Sequence, residues 1–97
     1  MRDFHEPKRS PIYAANGALA TSHPLATQTG MDVLKRGGNA VDAAVSAAAV
    51  LAVVEPAMTA IGGDAFALIS KPGAPLYGLN ASGRAAAALS TEMLMGQ

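Results

Sequence analysis

Apolar positions along the chain fall into two helical groups followed by two short extended runs. Leu25, Ala26, Met31 and Leu34 recur at helical spacing, with Gln28, Asp32, Lys35 and Arg36 elsewhere. Ser22 and His23 stand at the entrance of this first helix, and Pro24 occupies its first turn, where a missing N–H costs nothing. Lys35-Arg36 complements the negative end of the helix dipole, and Gly37-Gly38 supplies a residue suited to left-handed closure. A second helix of sixteen residues, 39–54, follows at once, capped by Asn39 with Asp42 at the third position. Asp42 and Ser46 form an i,i+4 pair, and nearly every other position is Ala, Val or Leu. Such a helix is about 24 Å long, and being apolar almost all round it is expected to be covered on most sides. Glu55 precedes Pro56 and is thereby pushed out of helical geometry, which sets the stop.

Around these helices the signals are shorter. Asn16-Gly17 suits a turn followed by a short strand over 18–22. Beyond residue 57 a turn-forming stretch through Gly62-Gly63-Asp64 leads into a strand over 65–70, a reversal at Lys71-Pro72-Gly73 and a partner strand over 75–80. Gly78 weakens that partner or marks a close approach. Ser90 or Thr91 caps a last helix with Glu92 in its first turn, and the chain stops before Met93, Leu94 and Met95 build a face, as a truncated element would.

Composition changes the picture in one respect. The 97 residues are 51% hydrophobic, yet 22 of them are alanine and there is no tryptophan. A free-standing chain of this size buries only about 60–65% of its unfolded surface, and alanine adds little transfer free energy. The chain is therefore expected to be a piece of a larger polypeptide or assembly. Two units are expected: an extended polar lead-in over 1–15 and an incomplete domain over 16–97.

Seven basic and seven acidic side chains balance, and no basic run exceeds two residues, which disfavours nucleic-acid binding. The stretch free of charge between Asp42 and Glu55 is 12 residues, short of the roughly 20 that span a bilayer, so no membrane segment is expected. No signal-peptide core can be drawn over residues 1–10, and a cytoplasmic location is expected. With no cysteine and two isolated histidines, neither a metal site nor a cofactor is expected.

Few side chains invite chemistry. Asp42 with Ser46 is an acid beside a hydroxyl or, more plainly, a cap and a polar pair on a helix face. His23 is a base or a structural residue at a helix entrance, and His5 lies in the lead-in without a role. Gly62-Gly63 is a turn, or a place where backbone N–H groups meet developing negative charge. Arg84 is the one strong cation after Lys71, set among small residues just past a predicted strand. By itself it is a surface arginine or a carboxylate-binding one.

Four blocks in order alter these alternatives: Ala20-Thr21-Ser22-His23-Pro24-Leu25-Ala26, Gly37-Gly38-Asn39-Ala40-Val41-Asp42-Ala43-Ala44, Val54-Glu55-Pro56 and Ile61-Gly62-Gly63. Together they resemble the N-terminal part of the large subunit of the γ-glutamyltranspeptidase family, over roughly 16–97. The resemblance implies an α+β fold, the N-terminal segment of a four-layer α-β-β-α N-terminal nucleophile hydrolase sandwich, here two helices and then a β-hairpin. It implies a self-cleaving precursor whose catalytic threonine begins a small subunit, attacks an amide and forms an acyl-enzyme. None of Thr21, Thr27, Thr29, Thr59 and Thr91 matches that nucleophile's motif, so no catalytic residue is assigned in this chain, which alone should be inactive. Arg84 falls where the family's arginine binds the α-carboxylate of the glutamyl donor, and it is the one substrate contact carried over. The implied partners are the remainder of the large subunit, the small catalytic subunit and a small γ-glutamyl or related acyl amide.

Ala85 after Arg84 and Asp64 after Gly62-Gly63 depart from the family's transpeptidases, which carry an acidic residue and further glycines there. They look more like the cytoplasmic γ-glutamyltransferase-like branch, some of whose members hydrolyse oxamate or glutaryl amides. The competing expectations are a non-catalytic truncated fragment acting as a structural partner and a self-associating alanine-rich helical protein.

Overall fold

The computed structural model describes residues 10–96. The greater part of the expected lead-in, and His5 with it, lies outside the described residues. Five elements follow one another: α1 (Pro24–Lys35), α2 (Ala40–Val54), β1 (Ala65–Ile69), β2 (Tyr77–Ala81) and α3 (Thr91–Met95). The order is that of an α+β chain, a helical hairpin followed by a β-hairpin.

Helix α1 begins at His23, whose Nδ1 accepts the Leu25 N–H at 3.2 Å, so the histidine is the cap and Ser22 lies one residue further out. It ends in a Schellman motif: the Gly38 N–H reaches the Val33 carbonyl at 2.9 Å and the Gly37 N–H reaches that of Leu34 at 3.0 Å. Gly37 takes the positive φ of 91° that this closure demands. Gly38 is needed for room, since a Cβ there would lie 2.5 Å from Val33 Cγ1.

Asn39 then opens α2 with a complete capping box. Its Oδ1 accepts the N–H groups of Val41 and Asp42 at 2.8 and 3.0 Å, while Asp42 Oδ2 accepts the Asn39 N–H at 2.9 Å. The Asp42 carboxylate is thus turned back to the start of its own helix, away from Ser46. The short connection folds α2 antiparallel against α1, and their contact is made by small residues: Ala26 and Gly30 of α1, Ala43 and Ala47 of α2, all buried. A Cβ on Gly30 would sit 3.1 Å from the Ala43 carbonyl oxygen, a measure of how closely the two backbones approach.

The expected strand over 18–22 does not form. No strand faces it among the described residues, and its side chains serve the helix entrance instead. Leu19 lies over Gly30. The Thr21 hydroxyl donates to the His23 carbonyl at 2.8 Å and lies 2.6 Å from Thr27 Oγ1. With its one proton given to His23, Thr21 accepts at the second contact and Thr27 donates.

Strands β1 and β2 pair antiparallel with Ala65 opposite Ala81 and Ile69 opposite Tyr77. Their turn carries Pro72 at its second position and Gly73, at φ 75°, at its third, closed by Ala74 N–H to Lys71 carbonyl at 3.1 Å, the pattern of a type II turn. Gly78 pairs with Leu68, whose Cδ2 would stand 3.7 Å from a Cβ placed on Gly78, an ordinary van der Waals contact. Opposed residues share a face, so Phe66 and Leu68 lie on one side and Ala67, Ile69, Tyr77 and Leu79 on the other.

Neither face of this hairpin is covered, with Phe66 67% and Tyr77 63% exposed. The expected covering of α2 is likewise one-sided: α1 shields Ala43 and Ala47, while Val45 and Val53 remain 65% and 78% exposed. The radius of gyration is 18.1 Å, against about 12.5 Å for a compact domain of this length. Helical pair and hairpin stand apart, each with apolar surface of the kind that a larger core absorbs.

Candidate functional site

The β-hairpin brings two parts of the chain to one place. Because Ala65 pairs with Ala81 at the end of the ladder, the residues entering β1, Gly62-Gly63-Asp64, and those leaving β2, Ser82-Gly83-Arg84, lie at the same end of the hairpin. The Lys71-Pro72-Gly73 turn closes the opposite end. Twenty residues of sequence separate Asp64 from Arg84, and the register of five pairs cancels that separation.

Local chemistry ends β2 and releases Arg84 from the sheet. The Ser82 N–H is taken by Asn80 Oδ1 at 3.2 Å, an Asx turn in which the side chain receives the donor from two residues downstream. Gly83 follows with φ 80°, a left-handed conformation that turns the backbone out of the strand direction. Arg84 is exposed, and among the described residues nothing hydrogen-bonds or ion-pairs with its guanidinium. On the entry side, the Gly63 N–H donates to the Ala60 carbonyl at 3.1 Å, whereas Gly62 has open space where a Cβ would be. A shallow apolar hollow on the hairpin is lined by Phe66, Ala67, Leu68, Gly78, Leu79 and Asn80. Asn80 therefore borders the hollow while it shapes the turn that carries Arg84.

The other sequence candidates are occupied by structural work. His23 Nδ1 caps α1 and Asp42 caps α2, so neither is placed as a base. The Thr21 and Thr27 hydroxyls are bonded to one another, and Thr29 Oγ1 donates to the Leu25 carbonyl at 2.9 Å. Among the described residues no three His, Asp or Glu side chains gather as metal ligands, and no helix is long and apolar enough to cross a membrane.

Two features are not anticipated by the sequence pattern. Ser22 Oγ donates to Glu55 Oε2 at 2.6 Å, joining the entrance of α1 to the end of α2. Asn80 falls in a strand-like run and signals nothing more by periodicity, although Asn two places before Ser-Gly is the composition of an Asx turn.

Comparison with known proteins gives a consistent neighbourhood. Residues 26–97 match the family model described as Gamma-glutamyltranspeptidase. The chain is 54% identical over 54 residues to the glutathione hydrolase proenzyme of Bacillus subtilis, covering 56% of this chain and 9% of that protein. It is 39% identical over 84 residues to the oxamate amidohydrolase proenzyme of Klebsiella pneumoniae subsp. pneumoniae, covering 87% of this chain and 16% of that one. The crystal structure of Helicobacter pylori gamma-glutamyltranspeptidase matches with a TM-score of 0.79 at 38% identity, over 87% of this chain and 24% of that chain. The chain thus spans 9% to 24% of the length of these relatives.

Proposed function

Because the chain belongs to the γ-glutamyltranspeptidase family and has the α+β fold of its N-terminal part, we propose that it is the first segment of the large subunit of a self-processing amidohydrolase or acyltransferase. Its substrate is a small amide bearing a carboxylate. The nucleophile is a threonine outside these residues, freed as a new N-terminus when the precursor cleaves itself. Its hydroxyl attacks the amide carbonyl, its α-amino group takes the hydroxyl proton and passes it to the departing amine, and an ester-linked acyl-enzyme remains. Water or a second amine then releases the acyl group.

Within this scheme Arg84 anchors the substrate carboxylate. The observation that carries the reading is its position: an exposed guanidinium, without a partner among the described residues, at the end of the hairpin where the Gly62-Gly63 turn also lies. A planar fork of N–H donors grips a carboxylate in two parallel hydrogen bonds, and such an anchor holds the scissile amide in line with the nucleophile. The uncovered faces of α2 and of the hairpin agree with burial against the rest of the large subunit and the small subunit.

A second substrate reading has support of its own. The alignment to oxamate amidohydrolase proenzyme covers 87% of this chain, and Ala85 follows Arg84 where the family's transpeptidases place an acid. Ala85 favours a short acyl amide of the oxamate or glutaryl type over a γ-glutamyl donor, whereas coverage does not separate the two, since the alignment to a glutathione hydrolase proenzyme of Schizosaccharomyces pombe spans 92% of this chain.

Expression from the whole reading frame, followed by denaturing electrophoresis and intact mass, tests the scheme. Two chains, the smaller beginning with threonine, are expected; a single unprocessed chain would reject self-processing. Hydrolysis of γ-glutamyl, glutaryl and oxamate amides by the mature protein then separates the substrate readings.

A further inference from the structure

We propose that Asn80 is a positioning residue for Arg84, setting the direction in which the guanidinium meets the substrate carboxylate; this rests on the reading of Arg84 as the carboxylate anchor. A strand such as β2 continues as long as its N–H groups find a ladder partner. At Ser82 the N–H goes instead to Asn80 Oδ1, at 3.2 Å, and the ladder ends at Ala81. The next residue, Gly83, holds φ at 80° with nothing within 4 Å of the place a Cβ would occupy, so its conformation is not imposed by packing. The only side-chain restraint on the turn among the described residues is therefore the Asn80 amide. Arg84 follows directly, and its own side chain is tied to nothing among the described residues. Its aim is set by the backbone that delivers it.

Loss of the Asn80 acceptor frees the Ser82-Gly83 peptide to rotate. An arginine that samples several directions spends less time in the one that binds, so affinity for the carboxylate falls while the chemical step is left alone. A net hydrogen bond of this kind corresponds to roughly a 3- to 10-fold change in an equilibrium constant. The hydroxyl of serine forms the analogous turn more weakly, so Asn80→Ser retains part of the restraint without adding charge.

The test is steady-state kinetics of the mature two-chain protein made from the whole reading frame, with a carboxylate-bearing amide donor and the same donor lacking the carboxylate. Asn80→Ala is expected to raise KM for the first donor by about 3- to 10-fold at nearly constant kcat and to leave the second unchanged. Asn80→Ser is expected to recover part of the loss, and Asn80→Ala placed on Arg84→Ala to add nothing. If Asn80→Ala does not accumulate as mature protein, Asn80→Gln takes its place, since the extra methylene carries the amide out of turn geometry; a wild-type KM for it overturns the proposal. Equal losses on both donors, or losses that add to those of Arg84→Ala, also overturn it. Wild-type kinetics for Asn80→Ala beside an impaired Arg84→Ala reject the role of Asn80 alone. Wild-type kinetics for Arg84→Ala reject the anchor itself, and Asn80 with it.

Discussion

Ser22 Oγ donates a 2.6 Å hydrogen bond to Glu55 Oε2 across 33 residues of sequence, and this one contact ties the entrance of α1 to the end of α2. A carboxylate at the C-terminal end of its own helix faces the negative pole of that helix. Antiparallel packing relieves this, because the positive end of α1 lies beside it. Ser22→Ala is expected to destabilise the helical pair by about 0.5–1.5 kcal/mol. Amide hydrogen exchange would report it, as faster exchange at Glu55, Met58 and Thr59 in the protein made from the whole reading frame. In a double-mutant cycle with Glu55→Ala the loss in the double variant should fall short of the sum of the two single losses; strict additivity would mean that the bond contributes nothing.

Gly30 is buried where α1 packs closely on α2. A Cβ there would collide with Leu19 Cδ2 and lie 3.1 Å from the Ala43 carbonyl oxygen. Leu19 is flexible and can swing aside, whereas the carbonyl belongs to the neighbouring helix backbone. Overpacking of this kind costs about 1–3 kcal/mol, and the better helix propensity of alanine offsets about 1 kcal/mol of it. Gly30→Ala should therefore be mildly destabilising and Gly30→Val more so, with Leu19→Ala relieving part of the loss. A thermal midpoint that rises in Gly30→Ala would sink this account of the contact.

What could be read in advance, and what could not, divides along the range of the interactions. Pro24, Gly37-Gly38, Asn39-Asp42 and Pro72-Gly73 act within four residues of themselves, and each stands in the structure as its local chemistry requires. Ser22–Glu55 and Gly30–Ala43 depend on how two helices meet, which no local spacing encodes. The strand expected over 18–22 failed for the same reason, since a strand exists only if another is beside it. The position of Arg84 followed from the hairpin register, but the Asx turn that aims it hides in Asn80, a residue with no periodic signature.

The capping box gives a graded prediction. Asn39→Ala removes the acceptor of two N–H groups and is expected to cost about 1 kcal/mol, while Asn39→Gly costs a few tenths. Asn39→Asp should be neutral or slightly stabilising, because an anion is favoured at this end of the helix. Denaturant midpoints of the three variants check the order; a loss in Asn39→Asp as large as in Asn39→Ala would contradict it.

Acid should loosen the start of α3. The Glu92 carboxyl titrates below its ordinary value because its own backbone N–H and the Ser90 hydroxyl hydrogen-bond to the charged form. A group with a lowered folded value stabilises fully above its unfolded value, and that contribution is lost as the pH falls through the folded one. Carbon-detected NMR of the Glu92 side chain should find it titrating below the ordinary glutamate value. Ser90→Ala should move it upward, and an unmoved titration would show that the hydroxyl plays no part.

Arg84 carries the most consequential prediction. A charged hydrogen-bonded contact contributes about 1.5–3 kcal/mol, so Arg84→Ala in the mature protein is expected to lower kcat/KM by roughly one to two powers of ten. Arg84→Lys keeps the charge but loses the planar fork and should recover only part of this. The loss ought to vanish for a donor without the carboxylate, because the guanidinium then has nothing to grip. A substitution that lowers turnover of both donors equally would instead place Arg84 in the fold, and unchanged kinetics would remove it from the site.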